Sequence, residues 1–187
     1  MKKVICLLAE GFEETEAIAT IDVLRRAGLT VDLVSLNSSF YVTGSHKIKL
    51  TADRTWGPDL HDADLLFLPG GQPGSNHLAA DPRVLGLVLD FNNQGKTIAA
   101  ICAAPMVLAK AGVLQGKKAT SYPSSKDVVV AGGADYREDF VVVDGNIITS
   151  RGVGTVLPFA CTLVEAMGID SEPLKKSMLL EWMFEKN

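Results

Sequence analysis

The sequence predicts a three-layer α/β fold: a mostly parallel sheet with helices on both faces and a β-hairpin late in the chain. Short apolar runs, each the length of a buried strand, alternate with stretches whose apolar residues recur at helical spacing. Parallel strands need crossover connections, and crossover helices on both faces bury the sheet completely. The chain has 187 residues, 47% of them hydrophobic and 21% charged, so we expect one globular core.

The first part of the chain predicts two strands around a helix. Residues 4–8 are an apolar run typical of a buried strand, and residues 13–27 follow with apolar side chains at helical spacing. Gly28 can adopt the left-handed conformation that ends a helix. Residues 31–36 predict the second strand, and the polar stretch that leads to Asp53 predicts a hairpin excursion.

The middle of the chain predicts two more buried strands. Residues 65–68 form the third strand, and residues 69–71 turn the chain sharply at its carboxyl end. A helix capped by Asp81 follows, with proline at its first position. Residues 97–101 form the fourth strand, and Cys102 stands where this strand stops and the next helix begins.

The last third of the chain predicts a hairpin and a terminal helix. Residues 140–143 and 147–149 flank an Asp-Gly-Asn turn, and residues 156–167 have helical periodicity. No repeat or linker interrupts the chain, so we expect one domain over residues 1–187. Apolar residues at helical spacing also predict that the tail docks as a helix; they are Leu174, Met178, Leu179 and Trp182.

The charge balance and the cysteine count exclude several classes of protein. With 18 basic and 22 acidic residues the net charge is −4, so we expect no specific binding to nucleic acid. No apolar run approaches the ~18 residues of a membrane span. The three cysteines are an odd number in a chain that needs no disulfides, which predicts free thiols and a cytoplasmic location.

Three predicted strand ends should meet at one edge of the sheet, where parallel α/β folds bind ligands. They carry an acidic cluster, the pair Gly70-Gly71, and Cys102. A cysteine in a tight strand-to-helix turn stands at the end of the sheet, and the helix N-terminus that follows favours its thiolate. The alternative is that Cys102 packs among alanines as a small residue, the interpretation we prefer for Cys6 and Cys161.

The acidic cluster and the glycine pair each have a structural and a functional interpretation. Negative charge at a helix N-terminus is favourable in itself, whereas one carboxyl turned toward the thiol would have a raised pKa and could act as acid or base. The residues alone do not show which carboxyl that is. Adjacent glycines either make a turn or let backbone amides approach a substrate oxygen. The cluster comprises Glu10, Glu13, Glu14 and Glu16.

The histidines argue against a Cys-His dyad with the histidine downstream. His46, His61 and His77 all precede Cys102. His77 could reach the site from the glycine-rich loop, although a solvated loop histidine is the better interpretation. No spacing of possible ligands predicts a metal site, and the glycine pattern matches neither the dinucleotide nor the P-loop phosphate motif. We therefore expect no cofactor.

Four motifs in this order resemble the ThiJ/PfpI superfamily, and its DJ-one branch in particular, over about residues 3–168. The resemblance implies a flavodoxin-like homodimer with Cys102 as the reactive, oxidation-prone cysteine and Glu16 as its carboxylic-acid partner. It also implies that the backbone amides of Gly71 and Ala103 bind an anion beside the sulfur. Gly70 belongs to the same loop, and Glu14 would have a lesser role. The motifs are Glu13-Glu14-Thr15-Glu16, Leu68-Pro69-Gly70-Gly71, Ala99-Ala100-Ile101-Cys102-Ala103-Ala104-Pro105 and Thr149-Ser150-Arg151-Gly152-Val153-Gly154-Thr155.

Two departures from the superfamily narrow the function. Tyr122 stands where the human relative has a histidine, which weakens a Cys-His mechanism and leaves Tyr122 as a supporting residue. Ala103 follows the cysteine, where the protease branch has histidine, so we expect no peptidase activity. The amidotransferase relatives need a histidine after the cysteine, and this chain has none there.

Three hypotheses follow. The first is a cofactor-independent glyoxalase or deglycase for methylglyoxal-type dicarbonyls or their early glycation adducts: the Cys102 thiolate attacks the aldehyde, backbone amides hold the oxygen, and Glu16 moves a proton between carbons. The second is a redox-switched stress sensor or chaperone in which Cys102 is oxidised to a sulfinate that protonated Glu16 stabilises. The third is a scaffold without catalysis.

Overall fold

Seven strands form one sheet at the centre of the fold. The computed structural model describes residues 2–184, without the side chains of Trp182 and Phe184. The strands are β1 (Lys3–Leu8), β2 (Thr30–Ser35), β3 (Tyr41–Thr43), β4 (Lys49–Thr51), β5 (Arg54–Thr55), β6 (Leu65–Leu68), β7 (Thr97–Ile101), β8 (Lys118–Ala119), β9 (Asp135–Tyr136), β10 (Val141–Asp144) and β11 (Ile147–Ser150). The α-helices are α1 (Glu14–Arg26), α2 (Gly74–Ala80), α3 (Pro82–Asn93), α4 (Pro105–Lys110), α5 (Lys126–Ala131), α6 (Val156–Ala166), α7 (Glu172–Ser177) and α8 (Glu181–Phe184).

The main sheet is parallel except at one edge. Its strand order is β10-β11-β7-β6-β1-β2-β5, and only β10 runs antiparallel to its neighbour. The late hairpin, β10 with β11, supplies that edge as the sequence predicts. Strands β3 and β4 form the expected separate hairpin after β2, and β8 pairs with β9 in a short parallel ladder.

Side chains that alternate along β1 pack into two different core layers. Val4, Cys6 and Leu8 pack in the layer that includes side chains of α1 and α6, whereas Ile5 and Leu7 pack in the layer of α3 and α4. All five are fully buried. A strand with helices over both faces needs an unbroken apolar run, which is the pattern of residues 4–8. The three-layer arrangement is thereby confirmed.

Local capping positions the helices that border the carboxyl edge of the sheet. Asp81 accepts a hydrogen bond from the backbone amide of Arg83 at 2.8 Å, and Pro82 opens α3. At the C-terminal end of α1, Gly28 adopts a φ of +81°. This left-handed conformation ends the helix and allows the chain to continue into β2. The predicted helix boundaries agree with the structure to within two residues at these points.

Helix α2 was not expected. The sequence suggested a glycine-rich loop around His77, but His77 lies on α2, and its Nδ1 is 2.9 Å from the backbone oxygen of Glu10. The loop assignment was wrong because α2 begins at Gly74, directly after Pro73, and buries only a small apolar face, Leu78 and Ala79. Strands β5, β8 and β9 and helix α5 are also short, and no element was predicted for them.

The tail forms two short helices and not one. Helix α7 ends at Ser177, and Leu179 adopts a φ of +57° with its side chain exposed to solvent. Leu174 and Met178 pack against the core layer of α1 and α6, so that part of the docking prediction is confirmed. The side chain of Trp182, which the same prediction includes, lies outside the described residues. Within residues 2–184, no helix has the length and apolar character needed to cross a membrane.

Helix α3 offers a matched pair of leucines that tests the placement of its buried face. Leu87 is 1% exposed and Leu89 is 41% exposed. We expect Leu87→Ala to lower the free energy of unfolding by about 2–5 kcal/mol, because it removes buried side-chain atoms and leaves a cavity. Leu89→Ala should lower it by less than about 1 kcal/mol. Urea denaturation measures both, and equal losses would contradict the assigned face.

Candidate active site

The carboxyl ends of three neighbouring strands bring the predicted site residues together. Strands β1, β6 and β7 are adjacent in the sheet. The segment after β1 and the turn after β6 are joined directly, since the backbone amide of Glu13 donates to the carbonyl of Gly70 at 2.8 Å. The backbone amide of Gly70 in turn donates to Oε2 of Glu16 at 2.9 Å. Cys102 lies immediately after β7, so the three segments meet as expected.

Cys102 stands on a sharp strand-to-helix turn. Its φ is +63°, a left-handed conformation that costs an L-residue roughly 1–2 kcal/mol. Two backbone hydrogen bonds hold it there: its amide donates to the carbonyl of Ser150 at 2.9 Å, and its carbonyl accepts from the amide of Tyr122 at 2.7 Å. The flanking alanines take the place of the glycines found at other nucleophile elbows. The turn presents a half-buried sulfur to a cavity at the edge of the sheet.

Glu16 places a fully buried carboxyl against this sulfur. It lies in the first turn of α1 and is 0% exposed. Its side chain is a hydrogen-bonding partner of the Cys102 thiol. Apart from that contact, Oε1 has no partner among the described residues, whereas Oε2 is held by the amide of Gly70. Of the four carboxyls in the acidic cluster, Glu16 is the one whose side chain is directed at the thiol, so it is the candidate acid or base.

The two groups control each other's protonation. Burial raises the pKa of Glu16 to about 7, and the charge of Glu13 adds to the rise. Burial, the charge of Glu16 and the hydrogen bond to it raise the pKa of the Cys102 thiol to about 12. Two anions side by side in a buried site repel each other strongly, so the pair holds one proton over a wide pH range.

The raised pKa of Cys102 differs from the expectation that the turn favours a thiolate. Helix α4 has only six residues and begins three positions after the cysteine, so the field of its N-terminus is weak at the sulfur. The amides of Ala103 and Gly71 do donate hydrogen bonds to the sulfur and lower its pKa, but burial and Glu16 outweigh them. The site therefore favours the protonated thiol of Cys102 over its thiolate.

The glycine pair after β6 provides close backbone approach. Gly71 has a φ of +93°, and a Cβ there would lie 2.3 Å from the backbone nitrogen of Glu13. A Cβ at Gly70 would lie 2.6 Å from Cβ of Cys102. Neither position accepts a side chain, so the amide of Gly71 can lie beside the sulfur together with the amide of Ala103. These two donors are placed to stabilise an oxyanion that forms on a carbon bonded to the sulfur.

The other three carboxyls of the acidic cluster have structural contacts. Glu13 caps α1, with Oε2 accepting from the amide of Glu16 at 2.6 Å, and Glu10 accepts from the amide of Thr43 at 3.1 Å. Glu14 accepts from the amide of His46 at 2.7 Å. Burial acts to raise the pKa of Glu14, but this hydrogen bond and others from backbone amides and the His46 ring lower it overall. The contacts of Glu14 are thus with the β3–β4 hairpin.

The fold also assembles a group of possible metal ligands that the sequence spacing did not suggest. Ligand atoms of Glu13, Glu14 and His46 lie within 4.8 Å of one another. His46 is distant in sequence and reaches the carboxyls through the hairpin, so no local motif could reveal it. Because Oε1 of Glu14 already accepts from the amides of His46 and Ile48, the group is explained by its role in holding the hairpin.

One cavity near the carboxyl edge lies away from the thiol, and a smaller one opens onto it. A cavity of about 570 Å³ lies beyond β1 and β2, beside His77 and Arg83, and does not include the thiol. A second cavity of about 380 Å³ opens onto Cys102 and Glu16 and includes Tyr122. Tyr122 is half exposed at its mouth. The second cavity contains the Cys102 thiol and the Glu16 carboxyl, so it is the candidate site.

The fold and the site together define a class: α/β proteins with a cysteine on a strand-to-helix elbow, paired with a buried carboxyl and facing two backbone amides. Comparison with known proteins makes the assignment specific. The sequence profile of the DJ-1/PfpI family matches residues 2–166, and the chain belongs to this family. Its resemblance to the DJ-one branch is confirmed.

Relatives and solved structures agree with this assignment. Protein dj-1beta of Drosophila melanogaster is 42% identical over 167 residues, which are 89% of each chain. The crystal structure of Drosophila melanogaster DJ-1beta matches with a TM-score of 0.91 and 41% identity, over 95% of this chain and 97% of that one. A deglycase of Pyrococcus horikoshii is 36% identical over 153 residues, 80% of this chain and 89% of its own. The oxidised DJ-1 of Toxoplasma gondii matches with a TM-score of 0.88 and 33% identity over 96% and 98% of the two chains. The flavodoxin-like architecture is thereby confirmed.

The raised pKa of Glu16 predicts that the stability of the protein depends on pH. Between the ordinary pKa of 4.5 and about 7, the folded protein keeps a proton on Glu16 that the unfolded chain loses, so the free energy of unfolding falls as pH rises through this window. Burial of this carboxyl should therefore destabilise the wild type by about 3 kcal/mol at about pH 8 relative to about pH 5. Glu16→Gln has no such loss, and its stability relative to wild type should increase over the same range.

Denaturation in urea at the two pH values measures this difference. Glu138→Gln is the matched control, because it makes the same substitution at a carboxyl whose side chain is 69% exposed. The control should show no comparable change. If the difference between Glu16→Gln and wild type were the same at both pH values, the raised pKa would be refuted.

Proposed function

We propose that this protein is a cysteine-dependent, cofactor-independent glyoxalase or deglycase that acts on methylglyoxal-type dicarbonyls or their early glycation adducts in carbonyl and oxidative stress. The observation that carries the proposal is the pairing of Cys102 with the buried Glu16, whose pKa of about 7 suits a group that must both take and return a proton. The deglycase of Pyrococcus horikoshii, a relative over most of the chain, supports the same class of reaction.

The first step forms a bond between the sulfur and the aldehyde carbon. Glu16 as a carboxylate accepts the thiol proton while Sγ of Cys102 attacks, as a base activates a weak nucleophile. The electrons of the C=O bond move to oxygen, and the amides of Gly71 and Ala103 stabilise the charge. The oxygen then takes the proton back from Glu16, and the product is a neutral hemithioacetal.

The second step is an isomerisation that needs no external oxidant. Glu16 removes the hydrogen from the former aldehyde carbon and delivers a proton to the neighbouring carbonyl carbon, while a proton passes between the two oxygens. One carbon is oxidised and the other is reduced, so a thioester of a hydroxy acid results. Water then breaks the C–S bond and releases the hydroxy acid, and Cys102 regains its proton. With methylglyoxal the sum is dicarbonyl plus water to lactate.

The decisive measurement is methylglyoxal loss with parallel lactate formation, in amine-free buffer without glutathione or metal. Wild type should form lactate, and Cys102→Ala should form none. Glu16→Gln should be slower by about 100-fold or more, because the amide cannot accept the proton. Since the base must be ionised, kcat/KM should rise with pH through about 7. Lactate formation by Cys102→Ala at the wild-type rate, or full turnover by Glu16→Gln, would rule out this mechanism.

A second candidate function is a redox-switched stress sensor or chaperone that works through oxidation of Cys102. The favouring observation is the difference in access among the cysteines: Cys6 and Cys161 are buried in the core, whereas the sulfur of Cys102 faces a cavity beside two amide donors. A protonated Glu16 could donate a hydrogen bond to a sulfinate at Cys102. The oxidised form of the Toxoplasma gondii relative is consistent with this candidate.

Peptide mapping by mass spectrometry after mild peroxide treatment tests the second candidate. Cys102 should be converted to sulfinate well before Cys6 or Cys161 is modified, and Glu16→Ala should reduce the yield of sulfinate relative to further oxidation. Even modification of all three cysteines would be evidence against a tuned sensor.

The homodimer and the cytoplasmic location stay predictions from family resemblance and cysteine usage. If a second copy binds, a groove of about 300 Å³ between α1 and the β3–β4 hairpin is a suitable surface. Ile18 and Leu50 line this groove from the two elements, and Ile18 is 42% exposed. A single domain over residues 1–187 is likewise proposed.

A further inference from the structure

The cavity in front of Cys102 is larger than a small dicarbonyl requires. Its volume is about 380 Å³, within the range of roughly 300–1,000 Å³ in which proteins bind drug-sized molecules. Methylglyoxal consists of a methyl group and two carbonyls and fills only a small part of such a space. The rest of the cavity is available to a larger substituent on the reacting carbonyl.

The walls of this cavity away from the sulfur are apolar. Tyr122, Phe140 and Val153 come from three separate segments and converge on the opening. They are 50%, 70% and 49% exposed, although the hydrophobic effect favours burying such side chains. Clusters of exposed apolar side chains around a concave site mark surfaces that a ligand covers.

Apart from the Tyr122 hydroxyl and part of the Arg151 guanidinium at the rim, the polar side chains of the cavity lie at the reacting end or are bonded within the protein. Glu13 caps α1, and Glu16 faces the sulfur. The Thr155 hydroxyl is engaged by Ser150 and by the backbone of Gly152. Arg151 at the rim donates from Nη1 to the carbonyl of Glu138. A sugar-derived group with several hydroxyls would find few partners on the remaining walls.

Gly152 keeps a passage open between the sulfur and the apolar walls. A Cβ at this position would lie 3.5 Å from Cδ2 of Tyr122, 3.9 Å from Sγ of Cys102 and 4.0 Å from Oε1 of Glu16. Its backbone is extended, with a φ of 161°, so a side chain would cause no backbone strain. The absent side chain therefore leaves space next to the reacting atoms that an alanine would fill.

We propose that Tyr122, Phe140 and Val153 form a subsite for an apolar substituent, and that the preferred substrates are α-oxoaldehydes with an aryl or branched alkyl group and not polyhydroxylated sugar adducts. The turnover part of this inference rests on the proposed function. The binding part does not, because it concerns only which molecules reach Cys102.

Two alkylating reagents that differ by one phenyl ring test the subsite without turnover. Iodoacetamide and 2-iodo-N-phenylacetamide carry the same reactive carbon, and their rates at Cys102 are measured by peptide mapping and divided by their rates with N-acetylcysteine. Wild type should favour the phenyl reagent by about tenfold after this correction, as partial burial of a ring predicts. A ratio within about twofold of the N-acetylcysteine value would overturn the subsite.

Three variants locate the effect. Phe140→Ala should remove most of the preference, because it deletes a wall, and Gly152→Ala should remove most of it by narrowing the passage. Phe40→Ala is the matched control: Phe40 is 50% exposed, like the residues of the subsite, but it does not line this cavity. An equal loss of preference in Phe40→Ala would overturn the assignment.

Turnover separates this inference from the proposed function. Wild type should convert phenylglyoxal to mandelate with a kcat/KM about tenfold above that for methylglyoxal, and Phe140→Ala should lose the advantage mainly through KM. Phenyl-selective alkylation without any turnover would support the subsite and refute the proposed function. Turnover of methylglyoxal without phenyl selectivity in either assay would support the proposed function and refute the subsite.

Discussion

The buried carboxyl of Glu16 is the constraint on which the site depends. It lies in the first turn of α1 and is completely buried, so its charged form is disfavoured and its pKa rises to about 7. The same charge raises the pKa of the Cys102 thiol. The protonation states of the two groups are coupled, because ionisation of either group disfavours ionisation of the other. The protonation chemistry at the sulfur is therefore decided by a residue far from it in sequence.

Hydrogen bonds and close packing hold the backbone around this pair in left-handed conformations. Cys102 adopts a φ of +63°, and hydrogen bonds to Ser150 and Tyr122 hold it from both sides. Gly71, at a φ of +93°, lies against the backbone of Glu13 with no room for a Cβ. Each contact joins a different strand end to its neighbour, so the positions of the thiol, the carboxyl and the amides are coupled through the sheet.

The fold could be predicted from the sequence where periodicity is strong, and it was missed where elements are short. Residues 4–8 and 65–68 are unbroken apolar runs because helices cover both faces of their strands, and this pattern is hard to mistake. Helix α2 was missed because it begins with a glycine directly after a proline and its buried face is small. The tail was expected to continue as one helix, but Leu179 breaks it with a left-handed residue that spacing alone does not reveal.

The convergence of the candidate residues at one edge of the sheet was predictable, and their electrostatics were less so. Strand-end topology placed Cys102, the glycine pair and the acidic cluster together, and the family motif selected Glu16. The thiol pKa was misjudged, since a helix N-terminus is visible in sequence whereas burial is not. The same burial raises the pKa of Glu16 to about 7, so this carboxyl can take up or release a proton near neutral pH beside the thiol. A reactive cysteine in this fold is therefore better recognised by its buried acid than by its own turn.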